Sequence, residues 1–378
     1  MTTGTNALRD DLLELSREIH GDPELAYQER HAAQRVRTLL ERHGFAVEMP
    51  LGGLETAFRA RIGPPGPSVV LLAEYDALPG IGHACGHNLI AMTNVGAFLQ
   101  AARDVGVPQV GIEIVGTPAE ESGGGKLDLI DAGVFRHAIA VLSSHPSGDT
   151  EWECGRSSLG IVGKIVTYKG VASHAAYSPD RGRNALNGVI RLFVGVDGWR
   201  PQLPRDARVH GVITDGGGPA ANIIPERAQA RWGIRARTLE ELRGMERTFA
   251  DIAKGAALQT GTEVEIEDEM RLYAPVAPHP RLTELLVEEM SARGLEADTV
   301  GVVMASTDFG NVSQVAPADY VGFPVSPERI PGHSHKMRDA SATDLAHKNA
   351  FTVIDILASA AVRIASDAAL RSQLMRGR

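Results

Sequence analysis

The chain has 378 residues, of which 43% are hydrophobic and 22% are charged, and its formal net charge is −9. These values are typical of a globular protein with two domains. An acidic chain without a basic block is not expected to bind nucleic acid or a membrane surface. The chain shows no signal-peptide pattern and no apolar run long enough to span a bilayer. Cys85 and Cys154 are too few for a disulfide framework, which favours a cytoplasmic location.

The N-terminal part of the chain alternates between helical and strand patterns. Amphipathic spacing predicts helices over 7–20 and 29–43. Short and almost continuously apolar strands follow over 68–73, 112–115 and 138–142, separated by helical segments. Strands of this kind are typical of a buried parallel or mixed sheet.

The pattern changes at residue 159. Residues 161–170 alternate as a strand with one face in solvent, and a helix is predicted over 184–199. Two further strands follow, and then Thr238 and Glu241 form a capping box that opens another helix. The order strand–helix–strand–strand–helix–strand predicts a small α+β sandwich inserted into the first domain.

Beyond the insertion the alternation of helix and strand returns. We predict a helix over 279–293, a strand over 320–323 and a long C-terminal helix with Ser341 as its N-cap. The predicted domains are an α/β domain of residues 1–158 and 273–378 and an inserted α+β domain of residues 159–272.

Polar side chains with metal-binding potential follow four predicted strands. In chain order they are Glu74, Asp76, His83, Cys85 and His87, then Glu120 and Glu121, then His145, and finally His333 and His335. Active sites of open α/β sheets lie at the carboxyl ends of strands. Thiolate, imidazole and carboxylate are ligands of zinc and manganese. A cysteine nucleophile is the alternative, but it would need neither the paired glutamates nor the further histidines, so the pattern favours a metal site.

Four long motifs indicate a family. They are AEYDALPGIGHACGHN, GTPAEESGGGK, GVASHAAYSPDRGRNAL and NIIPE. These motifs resemble the aminoacylase/carboxypeptidase family of co-catalytic metallopeptidases over nearly the whole chain. They look most like its amidohydrolase branch, which includes p-aminobenzoyl-glutamate hydrolase, β-alanyl-lysine dipeptidase and the auxin-conjugate hydrolases. The resemblance implies a mixed-sheet dinuclear-metallopeptidase catalytic domain, with an inserted lid domain that also forms a homodimer.

The resemblance also implies roles for individual residues. The implied ligands of two divalent metal ions, zinc or manganese, are Cys85, His87, Glu121, His145 and His333. Glu120 is implied as the general base, and Asp76 as the residue that orients a ligand imidazole. His335 is an alternative to His333 as the last ligand. His83 is expected to make hydrogen bonds within its loop rather than to bind metal.

In the inserted domain the resemblance implies that His174 and Asn222 contact substrate across the dimer. The alternatives are that His174 caps a loop of its own domain and that Asn222 is a turn residue. The metal-binding motif ends in Asn88, where the auxin-conjugate type has aspartate. This difference favours the aminobenzoyl-glutamate and β-alanyl-lysine hydrolases.

The implied reaction is hydrolysis of the amide bond of N-acyl or N-aroyl amino acids or unusual dipeptides. An activated water attacks the amide carbon and Glu120 acts as the base. Two alternatives stay open at this point. One is a catalytically silent homologue that binds small molecules, and the other is the same chemistry on a xenobiotic or aromatic amide.

Overall fold

The computed structural model describes residues 2–218 and 220–376, and the chain divides into two compact units. The α-helices of the described residues are α1 Thr2–Gly21, α2 Arg30–Arg42, α3 His87–Asp104, α4 Gly125–Asp131, α5 Ala185–Trp199, α6 Leu239–Thr260, α7 Pro280–Ser291, α8 Phe309–Val315, α9 His335–Ala340, α10 Asp344–Ser366 and α11 Ala368–Leu374. The strands are β1 Val47–Glu48, β2 Phe58–Ile62, β3 Ser68–Ala73, β4 Gly111–Gly116, β5 Ala138–Ser147, β6 Trp152–Glu153, β7 Ser157–Ser158, β8 Gly160–Lys169, β9 Ser173–His174, β10 Arg208–Asp215, β11 Ile223–Ile224, β12 Arg227–Ala236, β13 Glu263–Asp268, β14 Ala297–Asp298, β15 Val302–Val303 and β16 Ala318–Pro324.

The first unit runs to Ser157 and resumes over Val276–Gly301 and from Asp308 onward. Its described residues form a sheet with the strand order β1-β2-β4-β3-β5-β16-β6-β14. The central strands β4, β3, β5 and β16 are parallel to one another, while β2 is antiparallel to β4 and β6 is antiparallel to β16. Every residue of β3 and β4 is buried, as expected for parallel strands covered on both faces. The predicted mixed α/β sheet is therefore confirmed.

Helix α10 belongs to the core of this unit. By length and composition it is the one helix among the described residues that could cross a membrane. It packs against α3, α7 and β16, and it buries Ile354, Leu357 and Ile364 in the main hydrophobic cluster. Its apolar character is thus that of a buried core helix.

The start of α10 differs from the prediction. Ser341 is not its N-cap, because the short helix α9 precedes it and Ser341 lies at the end of that helix. The Ser341 hydroxyl donates back to the Met337 carbonyl at 2.8 Å. Thr343 caps α10 instead, and its hydroxyl oxygen accepts from the Ala346 N–H at 3.2 Å.

The second unit contains Ser158–Pro275 and Val302–Thr307. Its antiparallel sheet has the strand order β10-β12-β8-β13. Helices α5 and α6 pack on this sheet around Tyr168, Trp232 and Phe249. The predicted order of strands and helices is present, and so is the capping box that opens α6.

The unit boundaries differ from the predicted domain boundaries at 302–307. This segment belongs to the second unit, although it lies within the stretch assigned to the first domain. The Leu159 N–H donates to the Ala305 carbonyl at 3.0 Å, and Arg235 Nη1 donates to Ser306 Oγ at 2.8 Å. These contacts join residues distant in sequence, so no local pattern could reveal them.

Candidate metal centre

The segments that follow β3 and β4 meet at one edge of the sheet, because these strands are parallel neighbours. Asp76 follows β3, and Glu120 and Glu121 follow β4. We expected His145 just beyond the end of a strand over 138–142, but β5 is longer than predicted and carries His145 itself. The strand is longer because its second half pairs with β16.

His87 begins α3, and Asp76 holds its ring. Nδ1 of His87 lies 3.0 Å from Oδ1 of Asp76, so the neutral ring has its lone pair on Nε2. The other oxygen of Asp76 accepts from the Glu121 N–H at 2.9 Å. Burial alone would lower the pKa of His87, but the Asp76 carboxylate raises it well above its usual value. The surroundings of His87 therefore favour a positive charge, either a proton on the ring or a cation next to it.

His145 is oriented in a similar way by its neighbour in sequence. Its Nδ1 lies 2.8 Å from the Pro146 carbonyl oxygen, which can only accept, so Nδ1 is the donor. Nε2 then faces Cys85 Sγ at 3.5 Å. Gly86 allows this approach, because it has a φ of 77° and a Cβ there would lie 2.5 Å from the Pro146 ring.

The Cys85 thiol is not prepared to act as a nucleophile. Burial, followed by the charge of Glu121, raises the pKa of Cys85 well above its usual value. A cysteine nucleophile needs a lowered pKa instead. A metal ion can displace the thiol proton, because ligand cysteines bind as thiolates. The geometry thus favours a ligand over a nucleophile at this position.

His333 reaches the cluster from a distant part of the chain. Its N–H donates to the Ala84 carbonyl at 3.1 Å, and its backbone is left-handed with a φ of 51°. Its Nε2 lies 3.7 Å from Glu121 Oε1. His335 points elsewhere, because it begins α9 and its Nδ1 lies 3.1 Å from Arg338 Nη1. The structure therefore brings His333, and not His335, to the cluster.

Three overlapping groups of side chains are arranged to hold a metal ion, each with ligand atoms within 4.8 Å of one another. The groups are Cys85, His87 and His145; Cys85, Glu121 and His333; and His87, Glu120 and Glu121. Within the described residues, buried His87 Nε2 and Glu121 Oε1 have no hydrogen-bond partner. Unpartnered buried polar atoms are rare and point to a missing ion or water. The donor set fits divalent metal ions, and Cys85 is shared between two groups.

A buried charged cluster lies beside Glu120. Lys126 Nζ contacts Asp308 Oδ1 at 2.6 Å and Glu74 Oε1 at 2.8 Å, and Glu74 Oε2 lies 3.7 Å from His87 Nε2. Burial and the negative charges of Glu74 and Asp308 raise the pKa of Glu120 well above its usual value. A carboxylate in these surroundings has a raised affinity for a proton, which suits a general base.

Lys126 and Asp308 had no role predicted from their sequence context. The lysine follows the glycine-rich part of the GTPAEESGGGK motif, where a charged residue ordinarily faces solvent. The sequence around Asp308 contains none of the motifs that indicated the metal-binding residues. A lysine next to three glycines was the only available signal, and it did not identify its partner 182 residues away.

His83 and Asn88 flank the ligands but do not join the cluster. The His83 carbonyl accepts from the Gly86 N–H at 3.1 Å within the loop, but neither ring nitrogen has a hydrogen-bond partner among the described residues. Burial lowers the pKa of His83 to about 3, so the ring is neutral. The Asn88 amide donates to Ser16 Oγ at 3.0 Å and to the Ser341 carbonyl at 3.1 Å. An aspartate carboxylate could not donate to that carbonyl, so these hydrogen bonds explain an asparagine at this position.

In the second unit, His174 and Asn222 are brought together by the pairing of β9 with β11. The Asn222 carbonyl accepts from the Ala175 N–H at 2.9 Å, and both side chains are exposed. His174 Nδ1 accepts from the N–H groups of Ala176 and Tyr177 at 3.2 and 3.0 Å. The neutral ring therefore carries its proton on exposed Nε2. His174 caps its own turn, as the alternative stated, and at the same time presents a hydrogen-bond donor to solvent.

Comparison with known proteins gives a consistent result. Residues 70–354 match the model of peptidase family M20/M25/M40. The chain is 37% identical to the Xaa-Arg dipeptidase of Mus musculus, covering 93% of this chain and 84% of the relative. It is 27% identical to one of the p-aminobenzoyl-glutamate hydrolase chains of Escherichia coli, over 96% of this chain and 92% of the relative. A dinuclear metal binding peptidase from Bacillus subtilis has the same fold, with a TM-score of 0.76, 19% identity and coverage of 95% and 99%.

The fold and the metal-binding cluster define a metal-dependent amidohydrolase, an enzyme that hydrolyses C–N bonds with divalent metal ions. The chain belongs to peptidase family M20/M25/M40. The resemblance to co-catalytic metallopeptidases inferred from the motifs is thereby confirmed.

Proposed function

We propose that this enzyme hydrolyses the amide bond of unusual dipeptides or of N-acyl or N-aroyl amino acids. Dipeptides with a basic C-terminal residue are the first substrates to test, because the Mus musculus relative is named an Xaa-Arg dipeptidase. Amides of glutamate come second, after the Escherichia coli relative. The observation that carries the proposal is the convergence beside Glu120 of His87 Nε2 and Glu121 Oε1, both of which lack a hydrogen-bond partner among the residues that the structure describes.

Two divalent ions, zinc or manganese, fit the donor set. Cys85, His87, Glu121, His145 and His333 would hold them, and Cys85 belongs to two of the ligand groups. Thiolate and imidazole favour zinc, while carboxylates also suit manganese. When bound, such ions supply Lewis acidity that polarises an amide carbonyl and activates water for attack.

The residues of the chain supply the proton transfers and the orientation. Glu120 takes a proton from the attacking water and passes it to the leaving amine. Asp76 keeps His87 in the tautomer whose Nε2 faces the cluster, and the same carboxylate fixes the backbone of Glu121. The exposed Nε2–H of His174 can donate to an oxyanion, a contribution often worth about 3–4 kcal/mol.

Substrate profiling tests the proposed activity. The panel contains β-alanyl-lysine, dipeptides ending in arginine, p-aminobenzoyl-glutamate, N-acetyl amino acids and aromatic anilides, each assayed with Mn²⁺ or Zn²⁺. We expect the highest kcat/KM on a dipeptide with a basic C-terminal residue. Preference for p-aminobenzoyl-glutamate or for the anilides would replace the proposed substrate class. Metal binding without turnover of any amide would contradict an enzymatic function.

We further propose that the enzyme is a homodimer formed through the second unit. The edge strand β10 exposes Val212 and Ile213, and α5 exposes Ile190 and Val194. Exposed apolar side chains on the strand at the edge of the sheet and on a helix of the same unit favour association with another copy.

Cys85 and Cys154 are both free, which supports a reducing, cytoplasmic location.

In such a dimer we propose that His174 serves the partner subunit's site. Glu120→Ala and His174→Ala proteins, each nearly inactive, are mixed equally under conditions that allow subunit exchange. Random pairing makes about half of the dimers mixed, and each mixed dimer rebuilds one intact site, so activity should return to roughly a quarter of wild type. Subunit exchange is monitored by mass spectrometry. Proven exchange without recovered activity would show that His174 does not act in the partner.

A further inference from the structure

We infer that Glu29 is a positioning residue for the catalytic pair Glu120 and Glu121. Glu29 lies directly before α2, far in sequence from the cluster, and its side chain is fully buried. The inference rests on the roles proposed above for the two glutamates. It adds a residue that touches neither substrate nor metal ion and that acts through the backbone before Glu120.

Both oxygens of the Glu29 carboxylate accept hydrogen bonds, one from two backbone N–H groups and the other from a hydroxyl group. Oε1 accepts from the Ala119 N–H at 2.9 Å and from the Tyr27 N–H at 2.8 Å. Oε2 accepts from Thr56 Oγ1 at 3.0 Å. The bond to Ala119 joins the N-terminal part of the chain to the residue that immediately precedes Glu120.

Ala119 needs such support because its backbone is left-handed, with a φ of 62°. This conformation is unfavourable for a residue other than glycine, because the Cβ atom comes too close to the following carbonyl oxygen. Ala119 lies directly before a turn, its carbonyl accepts from the Gly124 N–H at 2.9 Å, and Glu120 and Glu121 on this turn face His87. Strained backbone of this kind persists at functional sites when surrounding contacts hold it.

The segment before α2 contacts both ligand-bearing loops. The Glu24 carbonyl accepts from the Ala77 N–H at 2.8 Å, next to Asp76. The Tyr27 ring covers Gly123, where an added Cβ would lie 2.3 Å from the ring. The segment therefore connects the loop after β3 to the loop after β4, and Glu29 makes its central contact.

A carboxyl group at this buried position is costly, and burial raises the pKa of Glu29 to about 7. An apolar side chain would avoid that cost but would leave the buried N–H of Ala119 without an acceptor. An unpaired buried donor is unfavourable, because it has given up its hydrogen bonds to water without replacing them. Glutamine is the informative replacement, because one carbonyl oxygen can accept from both N–H groups.

The test compares Glu29→Ala and Glu29→Gln with Glu55→Gln, an exposed glutamate nearby that serves as the matched control. The Mn²⁺ affinity of each apo-protein is measured by chelator competition, and kcat and KM are measured at saturating Mn²⁺. We expect Glu29→Ala to lose about 10–100-fold in Mn²⁺ affinity or in kcat, the range for residues that support metal ligands. KM should change much less, and Glu29→Gln should stay within about threefold of wild type.

Several outcomes would overturn the inference. Glu29→Ala with wild-type Mn²⁺ affinity and kcat would show that the contact does not position the pair. If Glu29→Ala fails to fold, a Glu29→Gln protein that folds but loses Mn²⁺ affinity and kcat as strongly as Glu120→Gln or Glu121→Gln would also overturn it. Glu121→Gln is measured in parallel. If Glu121→Gln keeps full Mn²⁺ affinity, the proposed metal site itself is wrong. If Glu121→Gln binds Mn²⁺ more weakly and the Glu29 variants do not, the proposed metal site stands and only the role of Glu29 is wrong.

Discussion

Glu120→Gln is expected to reduce kcat by about 10²–10⁴-fold, the usual loss for a removed general base. Glutamine keeps the shape and the hydrogen-bonding oxygen of the buried side chain but cannot take a proton. Glu120 belongs to one of the three ligand groups, but the proposed ligands Cys85, His87, Glu121, His145 and His333 are all unchanged, so metal content should stay near that of wild type. Single-turnover kinetics and metal analysis on the same preparation check both parts of this expectation.

Glu121→Gln provides the matched comparison, because it makes the same change one residue away. Glu121 Oε1 faces both His87 and His333, so this variant should lose metal affinity, and activity should return partly at high Mn²⁺. The two glutamates would have to exchange roles if Glu120→Gln lost metal while Glu121→Gln kept it and lost only turnover.

Much of this site could be predicted from the sequence because its residues sit at the ends of apolar strands. Parallel strands such as β3 and β4 end at the same edge of a sheet, so Asp76 and Glu120 were expected at one edge from the strand pattern alone. The HACGH motif brought Cys85 and His87 together by simple adjacency. The order of elements in the second unit also followed from local alternation and a capping box.

Contacts between distant segments could not be predicted in the same way. Lys126 meets Asp308, and Glu29 meets Ala119, through the tertiary fold alone. The choice between His333 and His335 depends on a left-handed backbone and on the start of α9, neither of which local spacing specifies. Ser341 is a suitable N-cap residue by composition, but it lies at the C-terminal end of α9, which the sequence did not predict.

The second large effect is expected for Cys85→Ala. Cys85 belongs to two of the three ligand groups and lies 3.5 Å from His145 Nε2. Alanine removes a donor that belongs to both of these groups, so the variant should lose metal and activity together. Its fold should persist, because the residue contributes little to the main hydrophobic cluster. Alkylation of the thiol should be slow with metal bound and faster after chelation, and circular dichroism controls for unfolding.

The most direct test of the central claim is the number of metal ions bound per chain, measured by elemental analysis on wild-type and Cys85→Ala proteins whose amidohydrolase activity is assayed in the same samples. A dinuclear hydrolase with a shared thiolate predicts two ions per wild-type chain, with activity lost on chelation and restored by Mn²⁺ or Zn²⁺. It predicts fewer ions and a matching loss of activity in the variant. Full hydrolysis by metal-free wild-type protein, or two ions and full activity in Cys85→Ala, would contradict it.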